Sequence, residues 1–360
     1  MDKKMKVVFL SFYSGEIYRG VETYVFELAN KLADLGIDVT IYQNGPRLEN
    51  TRYKTISSNL KIDWDKKGGG KGRFLGIVFT DYWARLVGRF TRIVFKKMDK
   101  DVDIVVTTNG SLQALYVRIW SFLRGKKHIA VGQSGPGADD KWNLLFMPDV
   151  FIALTSFQKK WAKKFNPLVK VVTIPNGVDL NKFESSNKAL KIDLPHPIIL
   201  SVGALVAGKR LDLIIKATAA TKASLLLVGG GELQGELQKL GEELLKNRFK
   251  IISLPFNDMP KIYPTCDLFT YPTLPWESFG IVLLEAMASG LAVVATDDPI
   301  RREIVGDAGY FIDPTDIDKY SEALEKALKT KWGGRPRHQA EKFSWDEISK
   351  RYKELFESLI

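Results

Sequence analysis

Short apolar runs alternate with longer amphipathic stretches along the chain. KVVFLSF, near the amino terminus, reads as a buried strand. In VETYVFELANKLADLG the apolar residues Val21, Val25, Leu28, Leu32 and Leu35 recur at the spacing of one helical face. Gly36 then stands where a helix ends well on a glycine. DVTIYQ, DIVVTT, KHIAVG, VFIALT and KVVTIP read as further strands, with helical segments between them. The pattern restarts with PHPIILSVG as a strand, RLDLIIKATAA as a helix, SLLLVGG as a strand and ELQGELQKLGEELLK as a helix. KIISLP, DLFTYP and LAVVAT are later strands, with SFGIVLLEAMASG a helix before the last. This alternation predicts mostly parallel sheets with helices on both faces. The turn-rich segment IPNGVDLNKF, with Pro175, Asn176 and Gly177, separates the two sets. Two α/β domains are therefore expected, residues 1–176 and 177–343, with a crevice at the carboxyl ends of their strands.

Composition narrows the class. Of 360 residues, 45% are apolar and 26% charged, an ordinary globular balance. The single cysteine, Cys266, excludes an internal disulfide and a cysteine-based zinc site. The longest stretch free of Lys, Arg, Asp and Glu is 15 residues (194–208) and carries two prolines, so no transmembrane helix is expected. MDKKMKVVFLSFYSG has too short an apolar stretch for a signal peptide, which points to the cytoplasm.

Charge adds an asymmetry. Residues 1–178 hold 29 Lys/Arg against 16 Asp/Glu, net +13, while residues 179–360 hold 24 against 26, net −2. The first half thus faces something anionic: nucleic acid, a membrane surface or a phosphorylated substrate.

Three segments of the second half carry candidate chemistry. GGGELQG (Gly229 to Gly235) joins a strand to a helix, but KIISLP lacks the terminal acid of a dinucleotide site. It reads as a tight turn. In PWESFGIVLLEAMASG (residues 275–290), Glu277 precedes the predicted helix. Ser278, Phe279 and Gly280 bring free amides to its start, a ready anion site. Glu285 sits among Leu283, Leu284, Ala286 and Met287, where a charge needs a specific partner. In SVGALVAGKRLDL (residues 201–213) a strand ends at Gly203, and Lys209 and Arg210 stand ready to neutralise a diphosphate.

Together these segments resemble the family 4 retaining glycosyltransferases of the GT-B fold, in which two Rossmann-like parallel-sheet domains face a central cleft. The resemblance runs from RGVETYVFELANKLADLG through IPNGVDLNKF to CDLFTYPTLPWESFGIVLLEAMASGLAVVAT, and its most specific part is Glu277-x7-Glu285. It implies that Glu277 contacts donor-sugar hydroxyls and that Glu285 holds the nucleotide ribose. The backbone of Ser278, Phe279, Gly280 and Ile281 would hold sugar and diphosphate, Lys209 would bind the donor phosphates, and Gly20 would approach the diphosphate from the first domain. The ending FSWDEISKRYKELFESLI resembles the terminal helix (344–360) that packs back on the first domain in that family. The implied activity is transfer of a sugar from a nucleotide-diphosphate sugar, without a metal or other cofactor, to a glycan or lipid-linked acceptor. A sugar-nucleotide epimerase of GT-B type, or a catalytically weak membrane-associated binding protein, is the alternative.

Two positions depart from the family pattern. Ala204 stands where many members have an arginine, leaving Arg210 to supply a second charge, and GQSGPGADDKWN lacks the usual histidine. Gln133, Ser134, Asp139 or Asp140 could meet the sugar or acceptor instead. Asp101-Val102-Asp103 is a formal D-x-D, but it opens a predicted strand, away from the crevice, and reads as a solvated strand start.

The charge asymmetry is sharpest over residues 61–127, with 15 Lys/Arg and 6 Asp/Glu. There GRFLGIVFTDYWARLVGRFTRIVFKKMDK reads as an amphipathic helix with Arg85, Arg89, Arg92 and Lys96 in one stripe, after a KKGGGKGR loop. A helix packed on the sheet with a solvated basic face, and a peripheral contact with the inner face of the membrane, both fit this pattern. No nucleic-acid recognition module is present in the sequence.

Overall fold

The computed structural model describes residues 4–66, 68, 79–186, 188–275 and 277–360. The chain forms two compact units, residues 1–176 with 345–360, and residues 177–344. Each unit is built on one parallel sheet.

The first sheet has seven strands among the described residues: β1 (Lys6–Ser11), β2 (Asp38–Gln43), β3 (Lys54–Ser57), β4 (Ile104–Thr107), β5 (Lys127–Val131), β6 (Val150–Ala153) and β7 (Val171–Thr173). Their order is β3-β2-β1-β4-β5-β6-β7. The second sheet has six: β8 (Ile198–Val202), β9 (Ser224–Val228), β10 (Phe249–Ile252), β11 (Leu268–Tyr271), β12 (Val293–Thr296) and β13 (Gly309–Ile312), in the order β10-β9-β8-β11-β12-β13. Central strands such as β8 and β9 are buried throughout and apolar except for Ser201 and Ser224, because both their faces are covered. In each sheet the order reverses beside the first strand, at β1/β4 and at β8/β11, and ligands of open α/β sheets bind outside the carboxyl ends at such a point.

The sequence pattern missed β3 and β13. β3 lies at the sheet edge, and none of its residues Lys54 to Ser57 is fully buried, so it shows no apolar run. In β13 only Ile312 is fully buried.

The terminal helix Trp345–Glu357 belongs to the first unit. Tyr24 Oη, from helix Gly20–Asp34, donates to Tyr352 Oη at 3.0 Å, Trp345 packs on the Tyr24 ring, and Lys31 pairs with Asp346 at 2.7 Å. Lys6 at the start of β1 pairs with Asp101 at 2.6 Å, and its amide donates to Asp103 at 2.9 Å. The D-x-D segment therefore ties the amino ends of two strands together.

The basic amphipathic segment forms helix Tyr82–Lys97, and the KKGGGKGR loop lies outside the described residues except for its first lysine, Lys66, and Gly68. Leu86, Val87, Phe90 and Val94 are buried in the core of the first unit with Phe12, Val105 and Val117. Of the two readings that fit the pattern, the helix packed on the sheet with a solvated basic face is the one found, and its apolar face is not free to meet lipid. Arg85, Arg89, Arg92 and Lys96 are all exposed, so only the cationic stripe remains outward.

His128, on β5, is fully buried, with Nε2 3.0 Å from Thr107 Oγ1 and, among the described residues, no hydrogen-bond partner at Nδ1. Burial pulls its pKa from 6.5 down to about 3. The unfolded chain therefore binds the extra proton first. Stability present above about pH 6.5 is lost as the pH falls toward 3, by at most about 5 kcal/mol. Denaturant titrations of the wild type and His128→Gln at pH 7 and 5 should differ in their acid loss by about 2 kcal/mol. Equal losses would refute this account.

No helix of the described residues is long and apolar enough to cross a membrane.

Candidate active site

The switch point of the second sheet gathers most of the sequence-predicted residues. β8 is followed by Gly203, whose φ of +155° suits glycine. The loop after β8 and the loop after β9 then touch backbone to backbone. Leu205 N donates to Gly230 O and Leu233 N to Leu205 O, each at 3.0 Å. A Cβ at Gly229 would lie 2.0 Å from Gly203 O, and one at Gly231 2.5 Å from Leu205 O. Gly229 and Gly231 are thus required by this close approach, in line with the tight-turn reading, whereas Gly230 and Gly235 face open space.

A short 3₁₀ turn, Ala207–Lys209, places Lys209 beside Ser201, Gly203, Leu211, Tyr271 and Thr273. Lys209 Nζ lies 2.9 Å from Glu277 Oε1 and donates to Tyr271 Oη at 3.1 Å. Burial alone would lower the lysine's pKa, but Tyr271 and the Glu277 carboxylate hold it above its usual value. Lys209 is therefore a fixed positive charge at neutral pH. Arg210 follows in a left-handed conformation (φ +53°) at the start of helix Leu211–Ala219. Its charge acts on Asp313, whose carboxyl is held below the usual range chiefly by Thr315 and secondarily by Arg210.

Glu277 sits in the loop between β11 and helix Ile281–Ala288. The helix begins three residues later than Ser278, which corrects its expected start: Ser278 and Phe279 belong to the approach, and Gly280 is the N-cap with φ +85°. A Cβ there would meet the Tyr271 ring at 3.0 Å. The first amides of a helix have no partner within it. Among the described residues, those of Ser278 to Val282 donate to no other group, while Leu283 N returns to Gly280 O at 3.0 Å. Ser278 Oγ is buried and, among the described residues, has no hydrogen-bond partner. Phe279 is buried against Phe343. Glu285, one turn into the helix, is buried and accepts a short hydrogen bond from Tyr263 Oη. Tyr263 is the partner that a charge among apolar neighbours required.

Sequence reading missed what holds the Glu277 loop. Arg301, on helix Pro299–Val305, is completely buried. Its Nε donates to Asp298 Oδ2 at 2.7 Å, one terminal nitrogen to Glu277 O at 2.7 Å, and the other to Pro275 O at 3.0 Å and Leu274 O at 3.3 Å. Asp298-Pro299 is a legible helix start, but partners 24 to 27 residues away leave no local signal.

Gly20 lies in the first unit, exposed at the start of helix Gly20–Asp34, where Arg19 N donates to Glu22 Oε2 at 3.2 Å. Of the candidates proposed to replace the missing histidine, Asp140 is buried and accepts from Gln158 Nε2 at 2.7 Å, which makes it a packing group. Gln133 exchanges hydrogen bonds with Asn176 at 3.1 and 3.2 Å. Among the described residues no three His, Cys, Asp or Glu side chains gather to hold a metal ion.

Two parallel-sheet, Rossmann-like domains with an acid, a lysine and a helix start at one switch point define an α/β protein of the GT-B fold. Residues 18–182 match the model described as Glycosyltransferase Family 4, and residues 182–344 match that of Glycosyl transferases group 1. The chain belongs to glycosyltransferase family 4. One relative is the GDP-mannose-dependent monoacylated alpha-(1-6)-phosphatidylinositol monomannoside mannosyltransferase of Corynebacterium glutamicum, 29% identical over 51% of this chain and 55% of the relative. Another is the N-acetylgalactosamine-N,N'-diacetylbacillosaminyl-diphospho-undecaprenol 4-alpha-N-acetylgalactosaminyltransferase of Campylobacter jejuni, 39% identical over 71% of this chain and 64% of the relative. The matches thus span 55 to 64% of the length of these two relatives. Among solved structures, Anabaena HepE in complex with UDP and glucose superposes with a TM-score of 0.76 at 17% identity, covering 98% of this chain and 100% of that one.

Proposed function

We propose that the chain transfers a sugar, with retention of anomeric configuration, from a nucleotide-diphosphate sugar to a lipid-linked acceptor. The observation that carries this reading is the Lys209–Glu277 pair, 2.9 Å apart, beside the unpartnered amides that lead into helix Ile281–Ala288. As the glycosidic bond breaks, negative charge grows on the departing diphosphate. Lys209 and those amides stabilise it where it develops, in a site already organised to do so. Arg210 adds positive charge nearby, Gly203 and Gly20 leave room for phosphate, Glu277 holds sugar hydroxyls, and Glu285 holds the ribose. The cationic groups take the part a metal plays elsewhere, so transfer proceeds without one. The names of both relatives, which pair sugar transfer with lipid-borne acceptors, support the acceptor class. The exposed stripe Arg85, Arg89, Arg92 and Lys96, within residues 61–127 of which 67 and 69–78 are not described, supports a peripheral position on an anionic inner membrane face.

Thermal-shift titration with UDP-, GDP- and ADP-sugars tests the donor site. One of the three should raise the midpoint in a concentration-dependent way, since a ligand of the folded state adds stability. No shift with any of them would refute the donor assignment. An inverted product anomer would refute retention.

A further inference from the structure

The carboxyl edge of the first sheet carries an aromatic cluster. Tyr13 follows β1 by two residues. Helix Tyr82–Lys97 leads back to the start of the parallel strand β4, so its first residues, Tyr82 and Trp83, stand at the same edge as Tyr13. Trp64, from the segment after β3, joins them. The Tyr13, Trp64 and Trp83 rings are mutual neighbours, with centroids 6.4, 6.1 and 5.7 Å apart, and Tyr82 meets Trp83 edge-on at 5.1 Å. Phe12 anchors the group from below, edge-on to Tyr13 at 4.9 Å and to Phe90 of the core at 5.3 Å. A Cβ on Gly68 would lie 3.4 Å from Trp83 Cδ1, so backbone already covers part of that ring. Trp64 is 48% exposed and offers the open face. A single exposed ring needs no explanation, but one backed by two others at a ligand-binding edge does.

The charges around this cluster differ from those of the unit as a whole. The Tyr13 phenol is pushed up to about 12, first by burial and then by Glu22, with Asp139 and Asp81 acting in the same direction and Arg19 against them. Three carboxylates thus face one cation here, within a half-chain of net +13. Glu22 is buried and accepts from Arg19 N at 3.2 Å, and Asp81 accepts from Ala84 N at 2.8 Å at its helix start. Asp139, in the first turn of helix Ala138–Leu145, is exposed. A Cβ on Gly110 would lie 3.3 Å from Asp139 Cβ, so the loop after β4 holds Asp139 beside the β1/β4 switch point.

This combination selects among ligands. A phosphate would meet more carboxylates than cations. A prenyl chain would take carboxylates out of water without offering them a donor. A pyranose ring suits both features: its C–H face lies on an indole, and its hydroxyls donate to carboxylates. We propose that the cluster binds a neutral sugar ring of the acceptor, stacked on Trp64 with a hydroxyl donating to Asp139. The proposal rests on the transferase reading and deepens it. The lipid-linked acceptor already carries a sugar, so an earlier sugar transfer must supply it, and this protein extends a glycan.

Saturation-transfer NMR on the full chain tests this, with the methyl glycosides of mannose, glucose, N-acetylglucosamine and N-acetylgalactosamine as probes. Farnesyl phosphate serves as the competing ligand chemistry, and the nucleotide-sugar thermal shift is measured in parallel. At least one glycoside should bind the wild type with a dissociation constant on the order of millimolar, the scale of one small ring. Trp64→Ala should weaken that binding roughly tenfold. Trp64→Phe, which keeps a ring face, should weaken it about threefold or less, and Asp139→Asn roughly fivefold. All three variants should keep the nucleotide-sugar shift, because neither residue is assigned to the donor. No glycoside bound at about 100 mM, or binding unchanged in both Trp64→Ala and Asp139→Asn, would overturn the proposal. Farnesyl phosphate binding that Trp64→Ala abolishes, with no glycoside bound, would overturn it in favour of a prenyl chain. Absence of a thermal shift with any nucleotide sugar, with glycoside binding intact, would count against the transferase reading alone.

Discussion

Glu277→Ala should lower kcat/KM for sugar transfer by about 10²–10³-fold while leaving the fold intact. The size of the effect follows from two jobs held by one carboxylate. Glu277 is assigned to the donor sugar's hydroxyls, and it also positions Lys209 at 2.9 Å. Removing it leaves the ammonium with Tyr271 Oη as its remaining recorded anchor. The lysine then keeps its charge but not its place. Lys209→Met should cost a similar factor by removing the charge itself. Because each variant undoes part of what the other contributes, the double variant should fall far short of the product of the two losses. Losses that multiply would mean that the two side chains act independently, and full activity in Glu277→Ala would sink the site assignment. Lys209 is held above its ordinary pKa, so the wild type should show no loss of activity from lysine deprotonation between pH 7 and about 9.

Much of this site was legible before any coordinates. The apolar strand periods, the glycine after β8 and the acid eight residues before Glu285 are local signals, and local signals survive in sequence. The element boundaries were less legible. Gly280, with its positive φ, delays the helix to Ile281, because the approach must cross the Tyr271 ring at a point where only glycine fits. The basic helix illustrates the opposite failure. Its amphipathic period is the same whether the apolar face meets lipid or the domain's own core, and only Phe12, Val105 and Val117 from distant segments decide it. Tyr263, Tyr271 and Arg301 could not have been found, since each acts on a residue brought near by the fold: Tyr263 on Glu285, Tyr271 on Lys209 and Arg301 on the Glu277 loop.

Arg301 carries the second large expectation. Replacing it with Met should lower the stability of the second unit by about 3–5 kcal/mol, the usual result of breaking a buried charge pair from one side. Asp298 would keep its two cap bonds, from the amides of residues 300 and 301, but lose the guanidinium at 2.7 Å. The carbonyls of Leu274, Pro275 and Glu277 would lose their donor together. A purely structural loss would end there, and activity measured well below the unfolding transition would be normal. The geometry argues for more, because one of those carbonyls belongs to Glu277. Freed from the guanidinium, the loop no longer fixes the direction of the Glu277 side chain, and a displacement near 1 Å at a reacting centre costs about a hundredfold. Arg301→Met should therefore lower kcat at temperatures where the protein is fully folded, while the affinity for free nucleoside diphosphate changes little. Arg301→Lys separates the two contributions. A single ammonium can keep the ion pair with Asp298, and so recover much of the stability, but it lacks the planar fork needed to reach three carbonyls. It should regain folding without regaining kcat, and equal recovery of both would reduce Arg301 to a packing residue.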